Sequence, residues 1–215
     1  CRRNLKLAVD TNVENMVTRA TADEETLPDI NDFSIAVLQN NNVQLTWNRY
    51  ADFTDGTEIA AGNYTLKATY GNIETQGFEA PYYEGAKEFS IKKNESTNIS
   101  VICYLANVKV TTEYTELFKK YFTDYTVNIR PAGSTDISFD KNETRAAYVK
   151  PGKISIYLSG SKQQGNKVTF EAATIENAKA RQHYRLKFDV QAGGTELDVS
   201  YTDETERVPL PIDIS

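Results

Sequence analysis

Apolar and polar residues alternate along most of this chain with a period of two, the pattern of a β-strand buried on one face. The first such segment places Leu5, Leu7 and Val9 on one side. Turn-forming residues interrupt the alternation about every 8 to 12 residues, which is typical of antiparallel sandwiches. Strands are predicted at residues 4–10, 33–39, 43–48, 63–71, 86–93, 97–104, 106–114, 125–131, 153–159, 167–174, 183–191, 196–202 and 208–215.

Two local signals refine this pattern. Three asparagines at 40–42 separate the second and third strands, and asparagine tolerates the positive φ of a tight hairpin, so Val43, Leu45 and Trp47 are expected together on one face. In TELFKKYF, Thr115 can cap a short helix. The four apolar residues of that helix are expected to share a face, and they are Leu117, Phe118, Tyr121 and Phe122.

The predicted fold is therefore all-β: two antiparallel β-sandwiches in tandem, immunoglobulin- or transthyretin-like, with one short helix. Residues 1–32 form an N-terminal anchor, the first strand and a tether. Residues 33–105 form the first sandwich, which strand 5–9 joins, and residues 106–215 form the second. Pro209 and Pro211 alternate in the last segment, as they do in an edge or terminal strand.

Composition excludes some classes of function. The formal charge of −6 and the lack of a basic cluster argue against nucleic acid as a partner. No apolar run approaches the roughly 18 residues of a membrane span. A soluble, globular and acidic protein is expected.

Candidate catalytic residues are scarce. The single histidine, His183, begins a strand between two arginines and is expected to be a surface residue. Cys103 lies in an alternating segment and is expected in the core, with a bridge to Cys1 as the alternative. One histidine and one internal cysteine cannot supply a zinc site. No catalytic residue, metal or cofactor is therefore predicted.

Adjacent aromatic rings offer a candidate contact site. Pro81 and Gly85 bound a predicted loop that carries Tyr82 and Tyr83, and tyrosine is an effective binding residue because its ring is rigid and amphipathic. Trp47 and Tyr50 are two further candidate stacking residues. The alternative is that the loop folds back over the core or over the domain junction.

Several motifs, taken together in order and spacing, resemble a family. Between about Leu5 and Ile129 the chain carries a phenylalanine strand and then the following motifs: Gly62-Asn-Tyr64, Tyr70-Gly71, Pro81-Tyr-Tyr-Glu-Gly85 and Cys103-Tyr-Leu-Ala-Asn-Val108. They resemble a family of Bacteroides-type lipoproteins of unknown function, which is distantly similar to two-sandwich, fimbrillin-like pilus and adhesion subunits.

The resemblance implies a location in the cell envelope. Cys1 is then the expected lipidation site, with the lipid anchoring the protein to the outer membrane. Surface-exported lipoproteins of these bacteria carry acidic residues after the cysteine, whereas Arg2 and Arg3 follow here. Both the periplasmic and the surface leaflet therefore remain open.

The resemblance to fimbrillin-like subunits also implies a processing event. They lose an N-terminal strand after cleavage at an arginine, and a neighbour's strand replaces it. Arg19 lies between the first strand and the first hairpin, and residues 208–215 are the expected donor strand. An ordinary arginine in a tether is the alternative.

Three functional interpretations follow. The first is a non-catalytic envelope lipoprotein that acts in adhesion or as a pilus-like subunit. The second is an accessory lipoprotein that binds glycans or other envelope proteins through exposed aromatic rings. The third, an enzyme, has the least support because the usual catalytic groups are missing.

Overall fold

The computed structural model describes residues 4–7, 27–53, 57–93, 97–163, 165–190 and 197–205, of which the first and last ranges are described as backbone only. Within these ranges the chain divides into two compact units. Unit 1 contains residues up to 71 together with 82–104, and unit 2 contains 72–81 together with 105–205.

Unit 1 contains two β-sheets. A three-stranded sheet has the order β4–β1–β8, and a five-stranded sheet has the order β3–β2–β5–β7–β9. Burial alternates along the second and fifth strands, so one face of the larger sheet forms the core. The strands are β1 (Asn4–Leu7), β2 (Ser34–Gln39), β3 (Asn42–Trp47), β4 (Thr57–Glu58), β5 (Gly62–Tyr70), β7 (Tyr83–Ile91), β8 (Thr97–Ile99) and β9 (Tyr104–Leu105).

The β2–β3 hairpin forms where the sequence predicts it. Asn40 and Asn41 have φ angles of 51° and 63°, the left-handed conformation that a two-residue hairpin turn requires. A β-bulge follows, because Val37 pairs with Leu45 whereas Leu38 pairs with Val43, which leaves Gln44 as an extra residue. The bulge turns Val43 away from the core, and its side chain is 58% exposed. The expectation that Val43 shares a face with Leu45 and Trp47 is therefore wrong.

The first strand pairs with two partners. β1 runs parallel to β8 through the pairs Leu5↔Thr97 to Leu7↔Ile99, and antiparallel to β4 through Asn4↔Glu58 and Leu5↔Thr57. The N-terminal strand thus lies between two short strands of unit 1.

Unit 2 is also a two-sheet structure. One sheet has the order β17–β16–β10–β13–β6 and the other has the order β12–β11–β14–β15. Their strands are β6 (Gly77–Phe78), β10 (Val108–Tyr114), β11 (Phe122–Pro131), β12 (Ile137–Asp140), β13 (Ala147–Val149), β14 (Gly152–Lys162), β15 (Lys167–Ala178), β16 (Gln182–Val190) and β17 (Leu197–Thr205). A single core cluster takes residues from both sheets. The pairing is not wholly antiparallel, because β10 runs parallel to β16 over six residue pairs.

The predicted helix, α1 (Glu116–Tyr121), closes one end of this core. The Thr115 hydroxyl accepts a hydrogen bond from the backbone N–H of Phe118 at 3.2 Å, which is the expected N-cap. Phe118 and Phe122 are buried, whereas Leu117 is 54% exposed. The shared apolar face predicted for this helix therefore excludes Leu117.

Residues 72–81 depart from the predicted domain ranges, which assigned them to the first sandwich. They belong to unit 2, where β6 pairs with β13 and the Phe78 ring contacts the Phe139 ring edge-on at 5.0 Å. The Gln76 side-chain oxygen also accepts a hydrogen bond from the backbone N–H of Lys150 at 2.8 Å. Sequence analysis missed this segment because a two-residue strand carries no detectable alternation.

Candidate aromatic contact surface

Tyr83 is a core residue and not part of an exposed loop. It begins β7, its side chain is only 5% exposed, and its ring lies 6.4 Å from the rings of both Phe33 and Tyr70. The prediction that Tyr82 and Tyr83 present two adjacent exposed rings is therefore wrong for Tyr83. Neighbours at the start of a strand point to opposite faces, and here the second of the two points inward.

Tyr82 keeps part of its surface exposed. Its hydroxyl donates a hydrogen bond to Glu84 Oε2 at 2.9 Å. Partial burial, reinforced by this hydrogen bond and the nearby negative charge, raises the pKa of Tyr82 to about 12. The Tyr82 side chain is therefore held against Glu84. Of the two adjacent tyrosines, Tyr82 alone keeps exposed surface.

Gly85, the last residue of the Pro-Tyr-Tyr-x-Gly motif, is required by a close approach of two backbones. A Cβ at this position would lie 2.1 Å from the carbonyl oxygen of Ile102 and 3.0 Å from Cys103 Sγ. Only glycine fits without moving the neighbouring segment. Cys103 is a fully buried free thiol, as predicted, and burial raises its pKa to about 12.

The other motifs also have structural roles. The Tyr64 hydroxyl donates to the backbone oxygen of Ala60 at 2.9 Å, and its ring stacks on Phe89 at 5.7 Å. The Asn107 side-chain amide donates to the backbone oxygen of Ala80 at 3.1 Å while its residue is 1% exposed. The motifs that carry the family resemblance therefore specify the core and its close contacts.

Trp47 and Tyr50 are brought together with Phe53. The Trp47 and Phe53 rings meet edge-on at 5.0 Å, and the Tyr50 and Phe53 rings are nearly parallel, at 7°, with centroids 6.3 Å apart. All three side chains are half-buried. We refer to Trp47, Tyr50 and Phe53 as the turn platform.

Local backbone geometry explains why these rings align. A short 3₁₀ helix spans Tyr50–Asp52, and Phe53 is its C-cap, with a backbone N–H that donates to the Tyr50 carbonyl. Side chains three residues apart eclipse in a 3₁₀ helix, which places Phe53 beside Tyr50. Sequence analysis missed Phe53 because the three-residue spacing from Tyr50 occurs once and does not repeat, so it forms no detectable periodic pattern.

Hydrogen bonds and an ion pair fix the turn to the sandwich. The backbone N–H of Tyr50 donates to the Phe33 carbonyl at 2.7 Å, and the Ser34 hydroxyl donates to the Asn48 carbonyl at 2.9 Å. Arg49 Nη2 lies 2.8 Å from Asp32 Oδ1. Asp32 ends a second 3₁₀ helix, Ile30–Asp32, so the ion pair connects two turns.

In unit 2, His183 is buried and is not the surface residue that the sequence predicts. It is 1% exposed, and its Nε2 lies 2.7 Å from Thr111 Oγ1. Its neighbour Tyr184 belongs to the core cluster of unit 2, so His183 alternates to the other face of β16, where it is paired in register with the buried Lys109. This histidine is a buried, hydrogen-bonded residue outside the core cluster.

Some predicted features cannot be placed. Cys1, Arg19 and residues 208–215 lie outside the described residues. Within the part of the chain that the structure describes, no group of three or more His, Cys, Asp or Glu side chains is arranged to hold a metal ion. No helix in that part is long and apolar enough to cross a membrane.

Solved structures share this fold over nearly the whole chain. A fimbrial assembly protein from Parabacteroides distasonis matches with a TM-score of 0.58 at 14% identity, covering 94% of this chain and 95% of that one. A "putative cell adhesion protein" from Bacteroides uniformis matches with a TM-score of 0.54 at 12% identity, covering 94% and 97%. Another protein of that description, from Bacteroides thetaiotaomicron, has a TM-score of 0.50 at 16% identity over 91% and 96%.

These identities are low enough that the likeness establishes the fold alone. No curated protein matches the chain. A family model for a domain of unknown function, DUF4493, matches residues 4–215, which is almost the full sequence. The chain therefore belongs to the DUF4493 family.

Proposed function

We propose that this protein is a non-catalytic structural or adhesive subunit of a bacterial cell envelope. The observation that carries the proposal is the match to a fimbrial assembly protein, which covers 94% of this chain and 95% of that one. The likeness to a protein described as acting in cell adhesion adds support. Both of these solved structures share the fold of this chain. A fold of two sandwiches suits a subunit that bears mechanical load or presents a binding surface.

Assembly by strand exchange is the finer part of the proposal. β1 lies between β4 and β8 and is paired with both of them. Removing a strand from such a position leaves unpaired N–H and C=O groups on both neighbours, which another strand can satisfy. Arg19 follows β1 in sequence, so cleavage there would separate β1 from residues 20–215.

Cleavage of an Arg207→Gln protein with an arginine-specific protease tests this proposal, because a cut after Arg207 would itself remove the proposed donor strand, residues 208–215. We expect cutting at Arg19 to release residues 1–19 and to yield oligomers whose size increases with protein concentration. The Arg19→Gln variant is the matched control and should remain monomeric after the same treatment. A chain truncated after residue 207 should be cut yet remain monomeric, because the proposed donor strand is missing.

Two outcomes would contradict strand exchange. One is a cut protein that stays monomeric at every concentration. The other is a first strand that remains bound to the cut protein through gel filtration. Either result would leave a simple tethered binding module as the remaining interpretation.

Acylation of Cys1 is a separate part of the proposal and places the protein at the outer membrane. Intact-mass measurement of protein purified from its host tests it directly. A mass increase equal to a lipid modification is expected, whereas an unmodified Cys1 thiol would refute lipid anchoring without bearing on assembly.

A further inference from the structure

We infer that the turn platform, Trp47, Tyr50 and Phe53, is a binding site for an uncharged carbohydrate chain. This inference goes beyond the proposed function and does not depend on whether the protein assembles. It rests on the arrangement of the three rings, on the rigidity of the turn that carries them and on the charges around them.

The ring arrangement suits a sugar. A hexose ring has a C–H face that packs on an aromatic ring and a rim of hydroxyl groups that form hydrogen bonds. Tyr50 and Phe53 present nearly parallel rings, and Trp47 meets Phe53 edge-on at 5.0 Å. Each ring is half-buried and so retains exposed surface for a ligand. Amphipathic rings of this kind give large contact area at small entropic cost.

The turn is pre-organised. The Tyr50 backbone N–H is bound to the Phe33 carbonyl, the Asn48 carbonyl is bound to the Ser34 hydroxyl, and Arg49 is paired with Asp32. Each contact ties the turn to β2 or to the turn that precedes it. A surface that is already ordered loses less conformational entropy when a ligand binds, which matters for weak ligands such as single glycan chains.

The charges favour a neutral ligand with hydroxyl donors. Asp52 ends the 3₁₀ helix of the turn, and Asp29 and Asp32 cap and end the 3₁₀ helix paired with it. Arg49, the one arginine on the turn, is paired with Asp32. Phosphate or sulfate groups would meet this negative charge without a matching excess of cations. The exposed side chains of Asn48 and Asp52 flank Tyr50 in sequence and supply acceptors for sugar hydroxyls.

A proline-rich peptide is the other common ligand of aromatic surfaces. Its backbone lacks N–H donors at each proline and therefore offers mainly carbonyl acceptors. Carboxylates are acceptors as well, so the three aspartates around the turn do not complement such a peptide. The carbohydrate is the better match, and the peptide serves as a competing outcome in the test.

The chain contains one tryptophan, Trp47, so its fluorescence reports directly on the turn platform. The full-length protein is titrated with neutral hexasaccharides of glucose, mannose, galactose and xylose, with heparin and with decaproline. At least one neutral hexasaccharide should change the Trp47 emission and saturate with a Kd of about 1 mM or below. Heparin and decaproline should have no saturable effect.

Variants separate a ligand contact from a structural role. Tyr50→Ala should weaken binding by about tenfold or more, the effect of losing one stacked aromatic face. Tyr50→Phe keeps that face and should bind within about threefold of the wild type. Tyr82→Ala, which removes a half-buried tyrosine elsewhere in unit 1, should leave binding unchanged. If Tyr50→Ala does not fold, Phe53→Leu gives the same test while keeping an apolar side chain.

Three results would overturn the inference. They are a lack of saturable emission change with all four neutral hexasaccharides up to about 10 mM, preferential binding of heparin or decaproline, and unchanged sugar binding in a folded Tyr50→Ala or Phe53→Leu protein.

Discussion

The turn platform of unit 1 and the aromatic cluster at α1 in unit 2 are built from similar side chains and differ in what covers them. The cluster is centred on Phe118, which is fully buried, and the Phe118 ring lies 4.8 to 5.9 Å from four other rings. Those neighbours are Tyr114, Phe122, Tyr125 and Phe188. The platform has three rings, each half-buried, of which Trp47 ends β3 and Tyr50 and Phe53 belong to the 3₁₀ turn that follows.

The comparison shows that aromatic content alone does not indicate function. A ring surrounded by other rings contributes packing and apolar burial, and substituting it should mainly cost stability. A ring with one open face has contact area to offer a ligand. Tyr114 lies at the margin of this cluster and is half-buried, and that burial raises the pKa of its hydroxyl to about 12.

The largest expected effect is at the centre of the unit 2 cluster. Phe118→Ala should lower the free energy of unfolding by about 3–5 kcal/mol, because it removes a fully buried ring and leaves a cavity. Leu117→Ala is the matched control on the same helix, and with 54% exposure it should change stability by less than about 0.5 kcal/mol. Denaturant unfolding measures both. Equal losses would show that the helix does not close the core as described.

The next effect separates the two adjacent tyrosines. Tyr83→Ala should cost about 3 kcal/mol, since its ring packs between Phe33 and Tyr70. Tyr82→Ala should cost less than about 1 kcal/mol, because a half-buried ring loses one hydrogen bond to Glu84. Thermal melts of the two single variants decide the matter. A larger loss for Tyr82→Ala would reverse the assignment of inward and outward rings.

A smaller effect is expected at the glycine beside these tyrosines. Gly85→Ala places a Cβ 2.1 Å from the Ile102 carbonyl oxygen, and overpacking of this kind costs about 1–3 kcal/mol. Gly62→Ala is the control, because its Cβ would displace only the flexible end of Gln39, at 2.8 Å, and would be in ordinary contact with the Tyr64 ring, at 3.5 Å. It should change stability by less than about 0.5 kcal/mol. Similar melting temperatures for the two variants would refute the close backbone approach.

The smallest effect on stability is expected on the charged surface of unit 2, at Arg145 and its carboxylate partners. The Arg145 guanidinium lies 4.8 Å above the Phe78 ring and 3.2 Å from Glu79, and hydrogen bonds from Arg145 lower the pKa of Glu143 to about 2. A carboxyl with a lowered pKa stabilises the folded state fully above its unfolded value of about 4.5. That stabilisation is lost as the pH falls towards about 2.

Melting temperatures measured against pH test this effect. The wild type should be slightly more stable than Glu143→Gln at pH 7, and the two should converge between about pH 4.5 and pH 2. Arg145→Gln should remove most of the same pH dependence. A constant difference between the wild type and Glu143→Gln across this window would mean that the ion pair contributes nothing through titration.

Short-range order was predictable from the sequence. Alternation located the long strands of both units, Asn40 and Asn41 specified the hairpin turn through their tolerance of positive φ, and Thr115 marked the start of α1 through its side-chain cap. Cys103 was identified as a core residue because it continues the alternating series of Ile99 and Val101. Each of these signals acts within a few residues of the chain, which is why one sequence suffices to detect it.

Long-range order was decided by the tertiary structure. Alternation shows which residues share a face, but it identifies neither the buried face nor the partner strand. It therefore missed the parallel pairing of β10 with β16, whose paired residues are more than 70 positions apart, and the burial of His183 beside Lys109. A bulge at Gln44 reversed the orientation of Val43, and a start of β7 at Tyr83 turned that ring inward. The turn platform depends on a 3₁₀ turn fixed by contacts with β2, so only the folded chain brings Phe53 to Trp47 and Tyr50.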